Sequence, residues 1–232
     1  MQSRKRCATF FDLDGVIIDS APLITTLVRQ VLSGHGIPVD DRLLDAFVGP
    51  PLEESFSVLL RDVGVPDIAC DAVGLVAEFR DLYRARCVET EAHPGVASML
   101  RSVARSVPCA LATSKPREFA LAILNHLELS DVFTVAAAPE PDWESDSKTA
   151  VLTAAFARMQ VAFATSLEPA DCLMVGDRRH DIEAAHTLGM LALGVTWGVG
   201  SREELIGASP DFLADDPVDV VRLVLELTGD DR

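Results

Sequence analysis

Residues 8–15, Ala8-Thr9-Phe10-Phe11-Asp12-Leu13-Asp14-Gly15, constrain the fold more than any other stretch of the chain. A short apolar run bounded by turn signals reads as a strand buried on both faces, the centre of a parallel sheet. It stops on two carboxylates, with Gly15 directly after them to let the backbone turn sharply. In open α/β sheets the carboxyl ends of the strands are where ligands bind. Two acids there must be solvated, ion-paired or metal-bound, because burying either one unpaired is costly.

After Asp19, which reads as a helix cap, Leu23, Ile24, Leu27, Val28, Val31 and Leu32 recur at helical spacing, with Pro22 in the first turn. Gly34 and Gly36 end that helix. Residues 43–48, 52–63 and 72–88 continue the helical pattern, separated by Gly49-Pro50-Pro51 and Val65-Pro66-Asp67. Nothing between residues 20 and 90 alternates like a strand, so a block of about four helices is expected there.

From Pro94 onward strand and helix alternate. Pro94-Gly95 is expected to open a helix through Met99, Leu100 and Val103. Residues 107–112 read as a buried strand ending on Thr113-Ser114-Lys115, residues 132–138 as the next, and residues 172–176 as one ending on Asp177. Residues 191–195 and the short Phe212-Leu213 follow, with helices between the strands and a closing helix over 218–227. This alternation predicts an α/β fold with a central parallel sheet and helices on both faces. The helical block reads as an insertion, giving a core of residues 1–17 and 91–232 and a helical domain of residues 18–90 that caps the strand ends.

Four polar clusters follow four strands: Asp12/Asp14, Thr113/Ser114, Lys148 at the start of a helix, and Asp177 with Asp181. Three acids near one another suit a hard cation with oxygen ligands, and Mg²⁺ is the usual occupant when a substrate brings phosphate oxygens. A hydroxyl with a free backbone N–H at a helix start, together with one lysine, suits a phosphate dianion. An aspartate can also be a nucleophile, forming an aspartyl-phosphate, with a second carboxyl as acid and then base. Lys115 reads as a surface residue, and so does the arginine-bearing face of Arg80, Arg84 and Arg86. Phe47 and Phe56 read as core of the helical domain.

The formal net charge is -16, which excludes a nucleic-acid polymer as partner and gives a phosphate no general attraction. Arg4-Lys5-Arg6 is a short solvated lead-in rather than a basic patch. The five cysteines form no CxxC pair, and His93, His126 and His180 are isolated, so nothing supports zinc. No signal peptide is visible and no apolar run approaches the ~20 residues that span a bilayer. The expectation is a reduced, cytoplasmic protein that engages no membrane, monomeric or homodimeric.

In order, Asp12-Leu13-Asp14-Gly15, Ala112-Thr113-Ser114-Lys115, Lys148 and Gly176-Asp177-Arg178-Arg179-His180-Asp181 resemble the four motifs of the haloacid dehalogenase-like (HAD) phosphatases. The resemblance covers almost the whole chain, and the helical block resembles the family's C1-type cap on a Rossmann-like core. It implies Asp12 as nucleophile and metal ligand, and Asp14 as general acid/base whose backbone carbonyl also reaches the metal. It implies Thr113, Ser114 and Lys148 as phosphoryl-holding groups, Asp177 as the acidic Mg²⁺ ligand and Asp181 as an auxiliary one. Gly15 to Pro22 resembles the flap region leading into a phosphoglycolate phosphatase-like cap. Thr113 to Pro116, Gly176 to Asp181 and Trp197-Gly198-Val199-Gly200-Ser201 resemble a narrower branch. That branch holds phosphoglycolate phosphatase-like and 5′-nucleotidase-like proteins and at least one relative described as a tyrosine kinase.

The resemblance implies Mg²⁺-dependent hydrolysis of a small phosphorylated metabolite. Dehalogenases of the superfamily lack the second acid of the first motif, so Asp14 favours phosphoryl transfer. Mutases of the family have a histidine where this chain has Ile24, which disfavours that branch. A phosphotransferase, mutase or kinase-like, and a weakly active regulatory or interaction module remain as alternatives. The third motif departs from the branch, with Glu140-Pro141-Asp142-Trp143-Glu144-Ser145-Asp146-Ser147 before the lysine, and Trp143 is expected to face the cleft.

Overall fold

The computed structural model describes residues 8–37, 44, 47, 52–62, 72–139, 147–163 and 167–229. Arg4-Lys5-Arg6, Cys7, Cys70, Gly49-Pro50-Pro51, most of the 43–48 helix and Trp143 with its loop lie outside the described residues. The chain divides into two compact units, residues 1–19 with 91–232, and residues 20–90.

The first unit is built on β1 (Ala8–Phe11), β4 (Cys109–Ala112), β5 (Phe133–Ala137), β6 (Cys172–Gly176), β7 (Leu191–Val195) and β8 (Phe212–Ala214). They form one parallel sheet in the order β5-β4-β1-β6-β7-β8. The chain builds outward from β1 to β4 and β5, then returns to lay β6 on the other side of β1. That reversal makes the carboxyl edge of β1 and β6 the topological switch point, where a crevice opens between diverging connections. Phe11 stands level with Leu111 of β4 and Val175 of β6, so the three central strands end together.

Successive strand residues face opposite sides. Phe10 therefore turns to one face, where it meets Phe156 at 6.4 Å, and Phe11 to the other, where it meets Phe133 edge-on at 6.4 Å. On the first face α6 (Lys148–Phe163) and α7 (Arg179–Leu188) pack Leu152, Ala155, Met159 and Ile182 against Ala112 and Met174. Further helices of this unit are α4 (Val96–Ser106), α5 (Arg117–His126), α8 (Arg202–Gly207) and α9 (Pro217–Thr228).

The second unit contains α1 (Ala21–Gly34), α2 (Leu52–Asp62) and α3 (Ala72–Arg86), closed by a single 3-10 turn, Cys87–Glu89. Leu27, Val31, Phe56, Leu60, Leu75 and Phe79 are buried in it. Phe47 meets Phe56 edge-on at 4.9 Å, which makes both core residues. The three arginines of α3 each find an acid: Arg80 with Glu53, Arg84 with Asp81 and Arg86 with Glu89. Among the described residues no helix is long and apolar enough to cross a membrane.

Two local expectations need correcting. The cap of α1 is Ser20, because Asp19 belongs to β2 (Ile18–Asp19), which pairs antiparallel with β3 (Glu91–Ala92). Two-residue strands carry no periodicity to read. Helix α4 begins at Val96, after Gly95 in the left-handed region at φ +81, so Pro94 stands outside it. Helix α8 is too short for its repeat to register in the sequence.

Phe10→Ala removes a fully buried ring from the central strand. It should destabilise the protein by about 3–5 kcal/mol, read as a lowered urea midpoint.

Candidate functional site at the switch point

The β1 ladder runs one residue past the strand, since Asp12 N–H donates to Val175 O at 3.1 Å. This fixes the height of Asp12 against β6. The chain then folds into a tight turn, with Ile17 and Ile18 N–H donating to Leu13 O and Gly15 N–H to Ile18 O. Gly15 holds φ +76, and a Cβ there would lie 2.0 Å from Asp177 Oδ2. Both the backbone conformation and the approach of Asp177 demand glycine.

Lys148 is the first residue of α6, and the apolar face of that helix sets its start at the carboxyl edge of the sheet. Its ammonium lies 2.8 Å from Asp12 Oδ2 and 2.8 Å from Asp181 Oδ1. Asp12 Oδ1 accepts from Leu13 N–H at 2.7 Å. Asp181 Oδ2 accepts from Arg178 N–H at 3.1 Å, which also caps α7. Asp177, fully buried, accepts from Val199 N–H through Oδ2 at 2.8 Å, while its Oδ1 is buried with no hydrogen-bond partner. One carboxylate oxygen from each of Asp12, Asp177 and Asp181 falls within 4.8 Å of the others.

The loop after β4 contributes from the other side of β1. Thr113 N–H donates to Ala137 O at 3.1 Å, and Thr113 Oγ1 accepts from Lys115 N–H at 3.1 Å. Ser114 is half-buried within that turn. Lys115 then places its ammonium 3.1 Å from Asp14 Oδ1, with only 8% of its side chain exposed.

The family model described as haloacid dehalogenase-like hydrolase matches residues 9–195. The chain belongs to that family. It is 27% identical over 222 residues to a phosphoglycolate phosphatase of Synechococcus elongatus, covering 95% of this chain and 98% of the relative. It is 31% identical over 220 residues to a 5′-nucleotidase of Pseudomonas aeruginosa, covering 93% and 94%. Among solved structures, a haloacid dehalogenase-like family hydrolase of Streptococcus pneumoniae superposes with a TM-score of 0.81 at 28% identity, covering 95% of this chain and 99% of that one. The Mycobacterium tuberculosis protein tyrosine kinase A superposes with a TM-score of 0.72 at 30% identity, covering 97% and 99%. With its phosphatase relatives spanning nearly its full length, the chain is a phosphatase-type HAD hydrolase.

In this HAD site the carboxylates crowd one another, and burial raises the cost of their charges. Burial lifts the Asp12 carboxyl from its ordinary 3.8 to about 6, with Lys148 opposing and Asp181 and Asp14 adding to the rise. Burial likewise lifts Asp177 to about 7, with Asp181 and Asp12 adding to it and the Val199 N–H and Lys148 opposing. Burial works against the Lys148 charge, but Asp12 and Asp181 outweigh it and hold the ammonium above the ordinary lysine value. Three close carboxylates with one lysine therefore lack positive charge. An all-oxygen donor set and the unpartnered Asp177 Oδ1 fit a hard divalent cation.

The structure brings Asp12, Asp177, Asp181 and Lys148 into direct contact range, and it sets Asp14 outside the three-carboxylate cluster, beside Lys115. Lys115 corrects the expectation of a surface residue. The turn closed by Thr113 Oγ1 carries it back towards β1, and no linear pattern signals that fold-back. His180 stands on the surface, 56% exposed and 3.8 Å from Glu183. Arg178 and Glu204, joined at 2.9 Å beside the acids, carry no signal in the sequence beyond the neighbouring motif.

The raised carboxyls tie stability to pH. Asp12 and Asp177 bind protons more readily folded than unfolded, so their contribution is full below about pH 4 and lost as pH rises through about 6 to 7. The melting temperature of metal-stripped protein should fall between about pH 5 and about pH 8. A divalent cation should raise it more at the higher pH, as scanning calorimetry with and without the ion would show. A flat profile would reject the buried, unneutralised cluster.

Proposed function

We propose that the chain hydrolyses a small phosphomonoester, phosphoglycolate phosphatase-like, through an aspartyl-phosphate on Asp12, with Mg²⁺ as cofactor. What supports this reading above all is the Lys148 ammonium, 2.8 Å from both Asp12 and Asp181 beside a third acid. Such a site has a carboxylate nucleophile, a cation for the transferring oxygens and a second acid within the same turn.

A carboxylate oxygen of Asp12 attacks phosphorus in line. The P–O ester bond breaks, and the leaving oxygen takes a proton from the Asp14 carboxyl. Water then attacks the phosphorus of the aspartyl-phosphate, giving its proton to Asp14, and the P–O bond to Asp12 breaks to release phosphate. Lys148 stabilises charge on the equatorial oxygens, and Thr113 and Ser114 hold the phosphoryl through the loop after β4. Asp12 and Asp177, with the Asp14 carbonyl and Asp181 in support, would hold Mg²⁺, which would supply neutralising charge for the phosphate oxygens. The helical insertion of residues 18–90 serves as the family's C1-type cap, and the enzyme works in the cytoplasm as a monomer or homodimer. The likeness to a tyrosine kinase favours one alternative, transfer of the phosphoryl to an acceptor other than water.

Asp12→Asn should lower turnover by about a thousandfold or more while the far-ultraviolet circular dichroism is unchanged, because an amide is a poor nucleophile. Asp14→Asn should slow alkyl phosphates by about a hundredfold and p-nitrophenyl phosphate far less, since that leaving group needs little protonation. Equal losses on both substrates would remove Asp14 from the role of acid.

Chelation with EDTA should abolish turnover, Mg²⁺ should restore it, and Ca²⁺ should inhibit because its larger, looser shell misplaces the in-line geometry. Product analysis with an added alcohol acceptor separates hydrolysis from transfer. Full activity in chelator-stripped protein would reject the cation.

A further inference from the structure

Trp197-Gly198-Val199-Gly200-Ser201 is a motif to which the proposed reaction gives no task. It forms the strap between β7 and α8, and it wraps the turn that carries Asp177. Trp197 Nε1 donates to Val16 O at 3.1 Å, and Val199 N–H donates to Asp177 Oδ2 at 2.8 Å. A Cβ on Gly200 would lie 1.9 Å from the Asp177 carbonyl oxygen, so the strap passes as close to that backbone as a chain can.

The strap ends in a clamp. Ser201 Oγ accepts from Glu204 N–H at 3.1 Å and so starts α8. Glu204 Oε1 accepts from Arg178 Nε at 2.9 Å and from Arg179 N–H at 3.0 Å. Arg178 N–H in turn donates to Asp181 Oδ2 at 3.1 Å. One carboxylate thus grips Arg178, the residue between Asp177 and α7, and Arg179, the first residue of that helix. Neither Glu204 nor Arg178 belongs to the three-carboxylate cluster.

We propose that Glu204 is a positioning residue for the divalent-cation site. By holding Arg178 and Arg179 it fixes the turn bearing Asp177 and Asp181, so that the Asp177 oxygen without a hydrogen bond stays available to the ion. Groups that orient metal ligands typically carry such weight, and Glu204 does so through Arg178 and Arg179 without touching either acid itself. This inference rests on the cation-dependent reading above.

The test is calorimetric titration of Mg²⁺ into metal-stripped protein, without substrate. Glu204→Ala should weaken Mg²⁺ binding about tenfold. Glu204→Gln, whose amide oxygen still accepts from Arg179 N–H, should stay within about threefold of the unsubstituted protein. At saturating Mg²⁺ the KM for p-nitrophenyl phosphate should be unchanged in both. A Glu204→Ala protein that melts earlier yet binds Mg²⁺ as tightly as the unsubstituted chain would overturn the proposal and leave Glu204 a helix cap only. If Glu204→Ala fails to fold, Arg178→Met, which removes one clamped donor, decides the matter: weakened Mg²⁺ binding supports the clamp and unchanged binding overturns it. No Mg²⁺ binding by the unsubstituted protein would overturn the cation reading itself, and this inference with it.

Discussion

The Lys148 ammonium between Asp12 and Asp181 is the contact on which the site depends. A lysine at the first position of a helix sits at the positive end of the helix dipole, where a cation is disfavoured, and burial adds to that cost. Two carboxylates at 2.8 Å reverse the balance and keep the ammonium charged. The dependence is mutual, because without Lys148 one half-buried and two buried acids would offer oxygens within 4.8 Å of one another with no fixed counter-charge. Helix α6 can deliver the lysine only because Val151, Leu152, Ala155 and Met159 bind its inner face to the sheet.

Chain order explains why residues so far apart in sequence meet. β1 is laid first and β6 joins it only after β4 and β5 have filled its other side. Parallel pairing in register then sets Phe11 level with Val175, and the acids that follow each strand come to the same height. Asp177 also needs room beside the first acid loop, and Gly15 gives it, because its missing side chain is the space that Asp177 Oδ2 occupies. Sheet register and a missing methyl group thus do jointly what neither could do alone.

What the sequence discloses follows the same division. Parallel strands buried on both faces are written as short apolar runs, so β1, β4, β6 and β7 and the polar residues at their ends are legible directly. Asp12, Asp177, Asp181 and Lys148 belong to that layer, since each follows or opens a periodic element. Lys115 does not, because its placement depends on a hydroxyl closing a turn two residues earlier. Glu204 does not either: its effect passes through Arg178 and Arg179, across a gap between two helices that no local pattern spans. The pairing of β2 with β3 joins residues on either side of the insertion, and two residues per strand are too few to alternate.

Charge balance shows how the parts constrain one another. Among the described residues Asp12, Asp14, Asp177 and Asp181 are paired with Lys115 and Lys148 alone, so this fully ionised group of six holds two more negative charges than positive ones. The chain around it carries a formal net charge of -16. A phosphate dianion approaching such a site meets repulsion at long range and at short range alike. On the proposed reading a divalent cation would cancel the local excess, leaving the Lys148 ammonium to act on the phosphate without opposition. On that reading, fixing the cation ligands rigidly in advance would be a condition for binding substrate as much as for chemistry. A strap that holds Asp177 and a carboxylate that clamps its turn lie where that condition has to be met.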